Sequence, residues 1–161
     1  MLTRPMPRQR AERQASKKSA VQVDRSSLDG MLGFQLRLAY AAFSRHFAEA
    51  MAHLDLTQKQ TGVLWLIGAN PGVSQAALAK HLDMDRASMM AIVDRLDARE
   101  IVVRERSRHD GRRQELYLTA KGRRILKQSK AALMEHERWF TERFSEDELD
   151  VFFEALQRLH K

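Results

Sequence analysis

A cluster of arginines surrounds one tight-turn dipeptide in the second half of the chain. The dipeptide is Asp110-Gly111, a pair typical of two-residue β-hairpin turns, and the arginines nearest to it are Arg106, Arg108, Arg112 and Arg113. Guanidinium groups pair with phosphate oxygens and are attracted into a narrow minor groove. The alternative is an ordinary solvated run of charges, but the position between two β-like segments favours contact with DNA.

Positive charge is concentrated in two parts of the sequence. The formal net charge is +7 and the isoelectric point is about 10.1. Residues 1–27 carry seven basic side chains against two acidic ones, and eleven more basic side chains lie in 99–130. Residues 135–161, in contrast, hold eight acidic and four basic side chains. This asymmetry predicts one surface that faces an anionic partner, although charge alone does not separate nucleic acid from an acidic membrane.

The residues that catalysis or metal binding would need are absent from the sequence or wrongly spaced. There is no cysteine, no glycine-rich phosphate loop, no Gly-x-Ser-x-Gly elbow and no His-Glu-x-x-His motif. The six histidines include no pair four residues apart, so we expect ordinary surface or interface histidines: His46, His53, His81, His109, His136 and His160. The acidic run 146–150 is better explained by helix capping. We therefore expect neither an enzyme nor a metal or cofactor site.

Helical periodicity and capping signals organise the rest of the chain. Apolar residues recur at helical spacing from Leu28 to about Leu54, and Thr57 with Gln60 forms a capping box for a second helix that stops at Asn70-Pro71-Gly72. Further capping signals open four more helices, which are expected at 74–82, at 86–98, after Thr119 and after Ser145.

The two short helices at 74–82 and 86–98 have the spacing of a helix-turn-helix. The β-like runs 101–104 and 115–118 follow them and flank the arginine-rich turn. The expected fold class is mainly α, a winged helix-turn-helix with a small β-hairpin wing and a helical dimerisation region formed by the N- and C-terminal helices.

Three stretches resemble the MarR family of transcriptional regulators. They are 74–79 (SQAALA), 92–96 (IVDRL), and Asp110-Gly111-Arg112 followed by 116–122 (LYLTAKG). The resemblance covers roughly residues 28–160. In one departure, Glu100 stands just after the recognition helix, where many members have glycine.

The resemblance implies a homodimer with its wings spread over a palindromic operator, and repression released by a small anionic or aromatic ligand. The residues expected at DNA are Ser74, Gln75, Arg86, Ser88, Met90, Arg95, Arg106, Arg108, Asp110, Arg112 and Arg113. The dimer interface is expected at Leu32, Leu133, Trp139, Phe140, Leu149, Phe152, Phe153 and Leu156. The sequence around 32–39 is similar to members that sense aromatic acids or their coenzyme A thioesters.

A ligand pocket is expected to include Phe34, Arg37, Leu38, Ala41 and Trp65. Arg37 would pair with a carboxylate or phosphate, although it could equally form a salt bridge within the dimer. The apolar members of this set are also consistent with simple core packing.

The domain organisation follows from these assignments. We expect a flexible basic arm at 1–27 and a single MarR-like domain at 28–161. In that domain, 28–56 and 120–161 would form the dimerisation helices and 57–119 the DNA-binding lobe. The basic arm could be an inert tail, a second DNA contact or a transit peptide. The chain is expected in the cytoplasm, with no membrane partner. An architectural DNA-binding protein without a ligand is the alternative function.

Overall fold

The computed structural model describes residues 24, 26–107 and 114–160. Six α-helices and a two-stranded antiparallel sheet make up the described residues. In chain order these are α1 (Leu32–Met51), a 3-10 helix (Ala52–Leu54), α2 (Gln58–Ala69), α3 (Gln75–His81), α4 (Arg86–Ala98), β1 (Val102–Arg106), β2 (Gln114–Leu118), α5 (Ala120–Thr141) and α6 (Glu146–His160). The expected winged helix-turn-helix class is confirmed.

The described residues fall into two compact units, one ending at Leu36 and the other beginning at Arg37. In the first unit the chain turns over residues 26–30 before α1 begins at Leu32, four residues later than the periodicity predicts. Two glycines, Gly30 and Gly33, fall in this stretch, and glycine lowers helix stability. The predicted arm at 1–27 lies almost wholly outside the described residues.

The hydrophobic core of the second unit is built from the inward faces of α1, α2, α3 and α4 together with the sheet. Its fully buried members include Val63 and Leu64 on α2, Val93 and Leu96 on α4, and Leu116 on β2. In α4 four apolar residues at helical spacing, Met89, Ile92, Val93 and Leu96, share one face and are all buried.

The sheet pairs β1 and β2 from Val102 opposite Leu118 to Arg106 opposite Gln114. The strand β1 begins at Val102, one residue later than predicted, because the Ile101 amide closes the turn after α4 by donating to the Leu96 carbonyl at 2.9 Å. On the other edge of β2, Val73 and Leu116 form an isolated bridge that joins the sheet to the turn after α2.

None of the described helices combines the length and apolar character that crossing a lipid bilayer requires.

Candidate nucleic-acid interface

The helix-turn-helix is fixed by side-chain caps at both of its helices. The Ser74 hydroxyl accepts from the Ala77 amide at 3.2 Å at the start of α3. At the start of α4, the Asp85 carboxylate accepts from the Ser88 amide at 2.8 Å, which lowers the pKa of Asp85. Both caps were predicted from the sequence and are confirmed.

The turn between α3 and α4 has a defined geometry. Asp83 adopts a left-handed conformation with φ of 48°, and the Met84 amide donates to the Ala79 carbonyl at 2.9 Å. This is the Schellman arrangement that commonly ends helices. This turn therefore ends α3 at a defined residue and leads directly into α4.

The end of α4 repeats that arrangement at the position where the family resemblance departs from glycine. Glu100 has φ of 57°, its amide donates to Asp97 at 2.7 Å, and the next amide closes the motif on Leu96. The geometry that glycine favours is therefore present, and the departure does not change how the helix ends.

Arg104 fastens the wing strand β1 to the recognition helix α4. Its guanidinium donates to Asp97 Oδ2 at 2.7 Å and also forms an ion pair with Asp94. The Arg104 side chain is only 22% exposed. Arg104 therefore joins the two elements that we expect to contact DNA. The sequence alone did not predict this contact, because it depends on how α4 packs against β1.

The Leu-Thr-x-x-Gly segment at 118–122, which leads from β2 into α5, is held by two hydrogen bonds of Thr119. The Thr119 hydroxyl accepts from the Gly122 amide at 2.9 Å and donates to the Glu100 carbonyl at 2.6 Å. A Cβ on Gly122 would lie 2.0 Å from the Ile101 carbonyl oxygen. Only glycine lets α5 approach the end of α4 this closely, which gives a physical reason for that part of the pattern.

The described residues that we predicted at DNA lie on α3, α4 and β1. Arg86, Met90 and Arg95 are exposed on α4, and Ser88 on the same helix is half-buried. Ser74 and Gln75 are half-buried at the start of α3, and Arg106 is exposed at the end of β1. Arg108, Asp110, Arg112 and Arg113 lie outside the described residues. Their contacts with DNA stay predictions.

Trp65, one of the predicted pocket residues, is half-buried on α2 beside α5. Its Nε1 donates to Ser129 Oγ at 3.3 Å, and the Lys130 ammonium lies 5.3 Å from its ring centre. Leu38 and Ala41 are half-buried on α1, and Phe34 is half-buried in the first unit. Sequence reasoning did not select Ser129 and Lys130, which are more than sixty positions from Trp65.

An aromatic cluster packs α1 against α5. The His46 and His136 Nδ1 atoms lie 2.7 Å apart, His46 stacks on Trp139, and Phe43 packs edge-on against His136. His136 is fully buried, so the expectation of a surface or interface histidine is wrong for this residue. Its burial, and to a smaller extent the charge of His46, lower the pKa of His136.

The predicted interface residues differ in exposure within this chain. Phe152 and Phe153 are exposed on α6, at 45% and 48%, and Leu149 and Leu156 are half-buried there. On α5, Trp139 is exposed, Phe140 is half-buried, and Leu133 packs on the core. Leu32 is exposed at the start of α1. In the described part of the chain, no three potential metal ligands come together.

The chain is similar in sequence to known transcriptional regulators. The MarR family model matches residues 54–113. The transcriptional regulatory protein for the hcr operon of Thauera aromatica is 35% identical over 136 residues, which is 84% of this chain and 82% of that protein. The chain belongs to the MarR family. It is thus a transcriptional regulator of the MarR type. Because members of this family are DNA-binding regulators, the prediction that it is not an enzyme is confirmed.

Two solved structures of one MarR-type repressor, CouR, resemble the chain closely. CouR bound to a 23-mer DNA duplex has a TM-score of 0.81 at 33% identity, covering 87% of this chain and 99% of CouR. CouR bound to p-coumaroyl-CoA has a TM-score of 0.78 at 32% identity, with the same coverage.

Proposed function

We propose that this MarR-family chain is a homodimeric repressor that binds a palindromic operator and is released from it by a small aromatic or anionic effector. The main support for the proposal is that α4 has an exposed face and is joined to the wing strand β1 by Arg104. CouR has a similar fold when it is bound to DNA. As part of this proposal, the protein acts in the cytoplasm, where it has access to chromosomal DNA.

The second chain of the proposed dimer would cover the apolar face of α6. Phe152, Phe153 and Leu159 are exposed there, and none of the fifteen residues of α6 is buried. Isolated amphipathic helices of this length are marginal in water, so their stability usually comes from packing. A symmetric partner would supply the same face and bury both copies.

The effector would be an aromatic acid or an aryl-CoA thioester. Two features on neighbouring helices support this class, the half-buried Trp65 ring on α2 and the Lys130 ammonium beside it on α5, and Arg37 is an exposed cation on α1. An aromatic ring could pack against Trp65 while a carboxylate or phosphate pairs with Lys130. The CouR complex with p-coumaroyl-CoA supports the thioester version.

A contact at the end of α4 offers a physical route from effector to DNA. The Arg99 guanidinium donates to the Leu54 carbonyl at 2.8 Å and the Asp55 carbonyl at 2.5 Å. These carbonyls belong to the turn that connects α1 to α2, the helices that carry Arg37 and Trp65. An effector that shifts α1 against α2 would therefore shift the end of the recognition helix.

The test is a binding titration on the DNA just upstream of the chain's own gene, with a scrambled duplex of equal composition as control. We expect selective binding that p-coumaroyl-CoA or a related aryl-CoA or aromatic acid weakens. The Lys130→Gln variant should bind the operator normally but need more effector for release. Selective binding that none of these compounds disturbs would contradict the effector proposal and leave the regulator intact.

The alternative, an architectural DNA-binding protein without a ligand, predicts a different result in the same titration. Binding would then depend on salt but show no preference for the upstream DNA over the scrambled duplex. The Arg112→Ala variant tests the predicted minor-groove contact of the wing. We expect weaker operator binding without loss of folded structure, and unchanged affinity at fixed salt would contradict that role.

A further inference from the structure

The outward face of the recognition helix α4 is apolar over its first two turns. Opposite the buried residues of α4, its first two turns present Ala87, Met90 and Ala91, all exposed. Met90 is 53% exposed, so its thioether side chain is accessible to a partner. In a helix-turn-helix, the N-terminal residues of the second helix are those that reach base edges.

The groups on α4 that could form hydrogen bonds are engaged elsewhere or stand at the margins of this face. Asp94 is ion-paired with Arg104, and Ser88 is half-buried. Arg86 and Arg95 are exposed on the flanks, where they are suited to phosphates. The first two turns of this face therefore expose mainly hydrocarbon and sulfur atoms.

We propose that Met90, with Ala87 and Ala91 beside it, determines operator specificity by packing against the 5-methyl groups of thymines in the major groove. The 5-methyl group is the one apolar feature that a base pair presents in that groove, and apolar side chains recognise it. This inference rests on the proposed function, because it requires α4 to enter the major groove of a specific site.

The test replaces thymine by deoxyuridine, which removes the methyl group and leaves the base-pairing groups unchanged. A duplex is first selected by the full-length protein from a random-sequence library, and each thymine of one half-site is then replaced in turn. We expect one or two replacements to weaken wild-type binding about four-fold each, the effect of exposing one buried methyl-sized group. The remaining replacements should have no effect.

Variants at position 90 connect those methyl groups to this side chain. Met90→Ala should bind the thymine duplex more weakly than wild type but lose little further affinity when the sensitive thymine becomes deoxyuridine. Met90→Leu, which keeps an apolar side chain of similar size, should retain most of the sensitivity. Arg95→Ala is the matched control on the same helix, and it should weaken binding to both duplexes equally.

The outcomes separate this inference from the function on which it rests. If library selection yields no preferred sequence, the proposed operator-binding function fails. If it yields one but no deoxyuridine replacement weakens binding, methyl recognition is contradicted and the regulator stands. Equal sensitivity of wild type and Met90→Ala to deoxyuridine would also overturn the role of Met90.

Discussion

Helices α4 and α6 have similar lengths, thirteen and fifteen residues, yet they find their packing partners differently. Within the chain, α4 buries four apolar side chains and is fastened to β1 by Arg104, whereas none of the residues of α6 is buried. Both helices have a side-chain cap at the start, since Ser145 and Glu148 cap each other at α6. Local capping signals therefore start a helix, but they do not determine whether its apolar face is buried within the same chain.

The largest effect is expected where α5 contacts the Ile101 backbone at Gly122. Gly122→Ala should lower the free energy of unfolding by about 3 kcal/mol or more, because the added methyl would meet the Ile101 carbonyl, a backbone atom that cannot easily move. Gly62→Ala, in α2 with no atom within 4 Å of the new methyl, is the control and should gain about 0.5–1 kcal/mol. Urea denaturation measures both, and equal effects would contradict the close approach.

The second prediction disrupts α6 and leaves the lobe folded. Phe152→Asp should raise the dissociation constant of the proposed dimer at least about 100-fold, because each subunit loses a buried aromatic contact and must bury a charge. Operator binding should fall with it, while circular dichroism still reports a folded chain. Glu154→Gln, exposed on the same helix, is the control. A Phe152→Asp protein that sediments as a dimer would contradict this interface.

A third prediction distinguishes an arginine that positions α4, Arg104, from an arginine that is expected to contact DNA, Arg95. Arg104→Ala should cost about 1–2 kcal/mol of stability, because it removes charged hydrogen bonds to Asp94 and Asp97, and it should also weaken operator binding. Arg95→Ala should weaken binding and reduce the slope of affinity with salt by about one, with stability unchanged. If Arg104→Ala weakened binding with no loss of stability, Arg104 would be a direct DNA contact instead.

The smallest effect is expected from pH, at the packing of α1 on α5. Because the pKa of His136 is lowered in the folded state, the unfolded chain binds more protons below the ordinary histidine pKa of about 6.5. Stability should therefore fall as pH drops from 7 toward 5.5, by at most about 1.4 kcal/mol per pH unit. Glu137 has the opposite sign, since burial raises its pKa.

The control for this pH effect is a comparison of slopes. His136→Phe should flatten the dependence of unfolding free energy on pH, whereas His53→Gln, at an exposed position, should keep the wild-type slope. Identical slopes in wild type and His136→Phe would show that His136 is not the group responsible.

Features carried by neighbouring residues could be predicted from the sequence. The caps at Thr57, Ser74, Asp85 and Thr119 each depend on a hydroxyl or carboxylate placed three residues before the amide that it accepts from. The buried face of α4 follows from helical spacing. The helix-turn-helix could be predicted because its two helices are marked by such caps and by helical spacing.

Features that join distant parts of the chain could not be predicted in this way. The Trp65 contact with Ser129 and the pairing of His46 with His136 span 64 and 90 residues. No periodicity specifies which helices meet or at what angle. The pairing of Arg104 with Asp94 and Asp97 likewise depends on the packing of β1 against α4, so an arginine counted only as positive charge proved to join these two elements.

We propose that one chain forms the DNA-binding lobe by itself but that two chains are needed to bind the operator. The most direct test is sedimentation of the full-length protein with the palindromic duplex selected from the random library, together with its affinity for that duplex and for a scrambled one at the same salt. We expect two chains per duplex and a preference of at least about 1,000-fold for the selected sequence. One chain per duplex, or equal affinity for both sequences, would contradict it.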